Sequence, residues 1–219
     1  MAQTDCGKKI QRRHPPRFDL VGGALCLDFV NTLDDRFTSE PTELLKTYSD
    51  LGHFAEDTGI LNASEADRLC TRSQLSPEEA QSALAAAIEM REAMYAVFWA
   101  IVNERAAPRE ELARLNQFVQ EAAQHAQLVE ADRRFEWKFE DAVCSDAPLW
   151  PIARSAADLL ASEQLKLVRP CAAANCLWLF LDTSKNHRRR WCDMAKCGNR
   201  AKVQRFYKRK KKLPGEKNI

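Results

Sequence analysis

The sequence predicts a mainly α chain with a small β element. An N-terminal helical domain is expected first, and a compact C-terminal module of β-hairpin plus helix after it. Three observations carry this. Apolar residues recur at helical spacing through much of residues 41–160. Proline, serine and asparagine punctuate that stretch where helices begin. Four cysteines in two equally spaced pairs then fall in a short segment rich in aromatic and basic residues.

Residues 1–17 are polar and end near His14-Pro15-Pro16, which predicts a disordered or extended N-terminus. Gly22-Gly23 signals a turn. The apolar run Ala24–Leu33 fits a short helix or a strand, and helix is favoured. From Pro41, residues Leu44, Tyr48, Leu51 and Ala55 share a helical face. A short helix is expected after Asn62 or Ser64. Ser76-Pro77-Glu78-Glu79 is a helix start, with Ser76 as N-cap, Pro77 in the first position and Glu79 closing a capping box. That helix should run to about Arg105, with Leu84, Ile88, Tyr95, Phe98 and Val102 on its apolar face. Pro108, Glu110 and Glu111 open another, bearing Leu112, Leu115, Phe118, Val119 and Ala122. Gln127–Glu130 and Arg134–Phe139 switch to a period of two around Ala131-Asp132-Arg133, which predicts a hairpin. Pro148 leads into a last helix through Ile152, Ala156, Leu159 and Leu160. There is no internal repeat. The helical domain is placed at 18–166, the cysteine module at 167–212 and a flexible tail at 213–219.

The 219 residues are 45% hydrophobic and 29% charged, as in a soluble globular protein. No apolar run approaches the roughly 20 residues that span a bilayer. The N-terminus has no apolar signal-peptide core, so a cytoplasmic location is expected. In that compartment clustered cysteines ligate metals rather than form disulfides. Cys6, Cys26, Cys70 and Cys144 are scattered, and Cys26 and Cys70 read as inert core thiols. The net charge of +2 hides a segregation. Residues 185–219 hold 14 lysines and arginines against two acids, whereas residues 1–184 have a net charge of −10. One end therefore seeks anions.

Cys171, Cys176, Cys192 and Cys197 form C-x4-C-x15-C-x4-C, a zinc-site spacing. Four thiolates at about 2.3 Å suit Zn²⁺ and leave no open position, so one structural Zn²⁺ is expected. No histidine begins the H-x-E of a zinc deaminase, and the second pair is spaced by four rather than two. Without a Gly-rich phosphate loop, a G-x-S-x-G or an open metal set, the chain is not expected to be an enzyme. Between the pairs, Leu177–Leu181 is strand material, Ser184–His187 a turn, and Arg188–Trp191 a return. Gly198 is expected to adopt the backbone a ligand loop needs. Asn199 is expected to cap a helix from Arg200 to Lys212. Loop, hairpin, loop and helix in this order are treble-clef-like: a small zinc finger.

On the last helix, Val203, Phe206 and Tyr207 share one face, expected to pack on Trp178, Phe180 or Trp191. Gln204, Arg205, Lys208, Arg209 and Lys212 point outward. Basic side chains of this kind neutralise phosphates and release counterions. Arg205, Lys208 and Arg209 are the foremost candidate nucleic-acid contacts, with Arg200, Gln204 and Lys212 beside them. Arg188, Arg189 and Arg190 come second.

At these residues the chain resembles the CGNR zinc-finger proteins. Cys197-Gly198-Asn199-Arg200 is the naming motif, and Phe180–Lys185 and Arg189–Met194 match its flanks. Leu25–Thr32 (LCLDFVNT) is similar to the signature of the ABATE domain that precedes this finger. The resemblance covers about residues 18–212. It implies a bacterial stress-induced transcription regulator with a DNA-binding finger; RNA binding has also been suggested for such proteins.

One charged group stands out in the helical domain. Arg91 lies within the apolar face of its helix, and a buried guanidinium requires a partner. Asp28 is the expected one. Either the pair is structural, or Arg91 with Asn31 and Thr32 recognises a small anionic effector. The whole reads as a DNA-binding regulator whose N-terminal domain senses or dimerises. An RNA-binding protein and a zinc-stabilised protein adaptor are the alternatives.

Overall fold

The computed structural model describes residues 16–139 and 144–212, the side chains of 208–212 excepted. The expectations for residues 1–15 and for the tail from 213 lie outside the described residues. The elements are α1 (Leu25–Val30), β1 (Leu33–Asp34), β2 (Thr42–Glu43), α2 (Tyr48–Thr58), α3 (Ala63–Leu75), α4 (Pro77–Val102), α5 (Arg109–His125), β3 (Ala126–Ala131), β4 (Arg134–Phe139), α6 (Leu149–Leu160), β5 (Val168–Pro170), β6 (Leu179–Leu181) and α7 (Asn199–Lys212). The fold is mainly α, with three two-stranded antiparallel sheets: β1–β2, β3–β4 and β5–β6.

Local chemistry sets most boundaries. Thr47 and Asp50 form a reciprocal capping box at the start of α2. That start is later than Pro41, because Thr42-Glu43 pairs with Leu33-Asp34 instead. Asn62 and Glu65 cap α3 in the same way. Pro77 occupies the first position of α4, where its missing N–H does no harm. The β3–β4 turn is Asp132-Arg133, with φ of 51° and 60°. Positive φ at both central residues matches the twist of a two-residue hairpin.

The described chain forms two compact units. The first takes Leu45–Met90, Ala113–Arg154 and the N-terminal stretch through Asp19. Its core holds Leu51, Phe54, Leu69, Ala83, Ala87, Met90, Leu115 and Ile152. In the first half of α4 the buried positions are Ala80, Ala83, Ala87 and Met90, whereas Leu84 and Ile88 are only half-buried; further along, Tyr95 and Phe98 are buried as expected. Small side chains allow the closest approach of neighbours, so they take the inner row and leucine and isoleucine flank it. The buried Asp57 carboxylate accepts the Arg17 and Phe18 N–H groups at 2.7 and 3.3 Å and ties down the chain entering this unit.

The second unit takes Leu20–Leu44, Arg91–Leu112 and the chain from Ser155. It contains the cysteine module together with α1. The two are joined through β6. The Asn31 amide donates to the Leu179 carbonyl and accepts the Leu179 N–H, both at 2.9 Å. One side chain thus replaces a neighbouring strand. Leu181 N–H donates to the Gly22 carbonyl at 2.7 Å. Gly22 must be glycine, since a Cβ would lie 2.8 Å from the Asp28 nitrogen. Gly23, at φ 78°, turns the chain into α1.

Asn31→Ala is expected to leave the buried N–H and C=O of Leu179 unsatisfied, lowering stability by about 2–4 kcal/mol. Denaturant unfolding of the zinc-loaded protein checks this. A change under ~0.5 kcal/mol, the range of a neutral surface substitution, would refute the clamp.

Candidate metal centre and basic surface

The finger is built from residues that have little else to bury. Cys171, Cys176, Cys192 and Cys197 cluster with Ala173, Trp178 and Phe180, and Val21 and Trp191 pack against them. β5 pairs with β6, Val168 opposite Leu181. The hairpin is therefore Val168–Pro170 with Leu179–Leu181, and the expected Arg188–Trp191 strand does not form. Asp182 explains this. Its carboxylate accepts the Ser184 N–H and hydroxyl and the Arg189 N–H, curling the chain at residues 182–189. Burial opposes the Asp182 charge, but these donors hold its carboxyl below the usual range.

All four sulfurs lie within 4.8 Å of one another. Cys176 and Cys192 Sγ are 3.6 Å apart, and Cys192 and Cys197 Sγ 3.7 Å. A zinc tetrahedron with bonds of about 2.3 Å has edges of about 3.8 Å, so the set fits the ion as it stands. Hydrogen bonds among the sulfurs push the Cys171 thiol down and the Cys176 and Cys192 thiols up, and burial raises Cys197, so without an ion the four are not all thiolates. Four thiolates this close need a dication. The finger holds one structural Zn²⁺, and its role is to supply folding energy to a thin core.

The second cysteine turn leads into α7. Asp193 accepts the Lys196 N–H, and a π-turn covers Met194–Gly198. Gly198 has no positive φ; a Cβ there would sit 2.5 Å from Met194 Sδ, so the half-exposed methionine side chain would have to move. Asn199 has helical φ and ψ, and its amide donates to the Ala195 carbonyl rather than capping α7.

The candidate nucleic-acid contacts divide. Arg200, Gln204 and Arg205 are exposed. With Ala201 they line one wall of a cleft of about 260 Å³, and Ala172, Ala173, Ala174 and Asn175 form the other. Arg188 and Arg190 are exposed too. Arg189 is not available: it donates to the Trp191, Cys192 and Val21 carbonyls, and its guanidinium lies 4.5 Å over the Phe180 ring. It is a strut of the finger. The side chains of Lys208, Arg209 and Lys212 lie outside the described residues. Val203, Phe206 and Tyr207 do not pack on the hairpin; they are 54%, 56% and 61% exposed. The sequence reading missed this because Trp178 and Phe180 are already covered within the cysteine cluster.

The polar residues of the helical segment do not form one site. Arg91, 2% exposed, donates to both Glu43 oxygens at 2.6 and 2.7 Å, to Glu92 at 2.9 Å and to Thr32 Oγ1 at 3.3 Å. Its partner is Glu43, not Asp28. With Nε, Nη1 and Nη2 all on carboxylates, an anionic effector would have to displace Glu43 first. Asn31 belongs to the β6 clamp. Asp28 accepts the Gly22 N–H at 2.7 Å. Burial pushes its carboxyl up to about 6, and the Gly22 bond only partly opposes this. Cys26 is fully buried and pushed up to about 12 by burial, which makes it inert.

Two family models match the chain. One, ABATE, described as a putative stress-induced transcription regulator, covers residues 23–163. The other, the CGNR zinc finger, covers 168–210. No curated protein matches it. Among the described residues no helix is long and apolar enough to cross a membrane.

Stripping zinc with a chelator at neutral pH is expected to expose Trp178 and Trp191, shifting tryptophan emission to the red. Adding back one equivalent should restore it, and Cys176→Ser should bind no zinc tightly; a fold indifferent to chelation would refute the structural role. A second prediction concerns Asp28. Because its folded value is raised above the ordinary 3.8, its contribution is full below that pH and is lost as pH rises through about 6. Asp28→Asn keeps the acceptor for Gly22 and removes the titration. Its stability advantage over the wild type should grow from about pH 4 to pH 6 and then level off; a pH-independent difference would contradict the assignment.

Proposed function

This chain belongs to the ABATE family of putative stress-induced transcription regulators, and from that membership we propose that it regulates transcription by binding DNA through its zinc finger and α7. The carrying observation is the surface of α7. From Arg200 to Arg205 the helix offers three cations and Gln204 to solvent and no acid. It starts two residues after Cys197, so the metal fixes its direction. Phosphate contacts alone only position a protein. Gln204 and the arginines are the groups here that can also read base edges, with guanine a natural partner for arginine and adenine for glutamine. Exposed Val203 adds an apolar contact suited to a thymine methyl.

The helical domain has a supporting role in this reading. With Arg91 neutralised by Glu43, an anionic effector gains little there, so pairing two chains is the better reading than sensing one. No chemistry is assigned to the protein: its metal set is closed and its role is binding.

A second reading rests on Phe206 and Tyr207. Two exposed aromatics on a basic helix can stack unpaired bases, which favours single-stranded RNA. A third, a protein adaptor, becomes the better one if no nucleic acid binds.

Fluorescence anisotropy with duplex DNA and single-stranded RNA over a salt series tests these readings. The triple variant Arg200→Ala/Lys202→Ala/Arg205→Ala is expected to bind duplex more weakly, with a log–log salt slope shallower by up to ~2.7 for three lost phosphates. No duplex binding at low salt by folded, zinc-loaded protein would overturn the DNA reading. Tighter binding to the single strand would select the RNA one.

A further inference from the structure

The β3–β4 hairpin carries an apolar face with no evident use in the finger. The register pairs Ala126 with Phe139, Leu128 with Trp137 and Glu130 with Phe135. Side chains alternate along a strand, so these six share one face. Leu128 is 56% exposed, Phe135 68% and Trp137 48%. A soluble chain gains nothing by setting three large apolar groups side by side in water. An isolated two-stranded hairpin is also marginal without something to cover its apolar side.

We propose that this face is a homodimer interface, packed against the same face of a second copy about a two-fold axis. Charge and area single out a second copy as the occupant. On this face the charges are one acid, Glu130, and one base, Arg154, whose guanidinium lies 4.2 Å over the Trp137 ring. A patch of one sign repels its own image, and this one is balanced. An acidic or basic partner would find no field to attract it. An isologous contact, by contrast, asks only that a surface be complementary to itself.

The area sets the scale of such a contact. Large apolar side chains offer ~150–250 Å² each, so the exposed parts of Leu128, Phe135 and Trp137 amount to roughly 300–400 Å² on one face. That is the size of the largest apolar patch on a typical monomer, which is often a functional one. Two copies would bury roughly 600–800 Å² from these residues. The polar rim of the hairpin must bring the total to the ~1,200 Å² of the smallest specific interfaces. A dimer of modest, concentration-dependent affinity follows. The proposal does not rest on nucleic-acid binding.

Sedimentation equilibrium of the zinc-loaded full chain tests it. The mass should rise with concentration from 24.9 kDa towards twice that value. Phe135→Glu/Trp137→Glu should remain monomeric throughout, with unchanged zinc content. Glu136→Ala, on the opposite face of β4, should dimerise like the wild type. In case the double variant perturbs the hairpin, a photo-crosslinking phenylalanine analogue at position 135 of the otherwise native chain should give a covalent dimer, and at position 136 none. A wild type monomeric at every concentration, a Phe135→Glu/Trp137→Glu dimer, or equal cross-linking from both positions would overturn the proposal.

Discussion

Strand β6 needs a neighbour on both edges, and Asn31 supplies the second. A three-residue strand paired only with Val168–Pro170 would leave the buried N–H and C=O of Leu179 unsatisfied. The asparagine amide carries one donor and one acceptor at the spacing of a peptide group, so it completes the ladder from outside the sheet. This explains the composition of the Leu25–Thr32 segment. Leu27, Phe29 and Val30 are buried, and the polar residue that follows them is held by the finger's backbone. The most conspicuous N-terminal motif is thus part of how the C-terminal module is held, and the two family matches meet in one compact unit.

The metal solves a different problem. A core of four cysteines, an alanine and two aromatics contains too little apolar surface to order some forty residues on its own. Zinc adds directional bonds in place of buried area. Arg189 completes the arrangement: donating to the Trp191, Cys192 and Val21 carbonyls and stacked on Phe180, it ties the second cysteine loop to the hairpin and to the chain before α1. A basic residue in a basic stretch thus has an inward task, while its neighbours Arg188 and Arg190 remain exposed.

What the sequence made legible was what it encodes locally. The cysteine spacing, the helix after Asn62, the proline at the head of α4 and the β3–β4 hairpin all depend on residues a few positions apart, although Ala131, expected in the turn, pairs with Arg134. What it hid was long-range. Val168–Pro170 is too short to announce itself as the partner of β6. Glu43 lies 48 positions from Arg91, and Asp28 was the more obvious carboxylate because it sits inside an apolar run. The face of α7 was misjudged for a related reason: periodicity shows that Val203, Phe206 and Tyr207 lie together, but not whether a surface remains for them to cover.

That last point bears on what α7 is for. A helix serving only solubility would carry charge all round and need no fixed direction. Here a tetrathiolate and a π-turn set its first residue, and aromatic and aliphatic groups interrupt its cations in the open. Keeping Val203, Phe206 and Tyr207 exposed is unfavourable for the free protein. It becomes favourable when a partner offers both negative charge for Arg200, Lys202 and Arg205 and flat apolar surface for the rest. Nucleic acid provides the two together, phosphates at the rim of a groove and methyls or base faces within it. An acidic protein supplies the charge readily, but the apolar surface only by exposing a patch of its own.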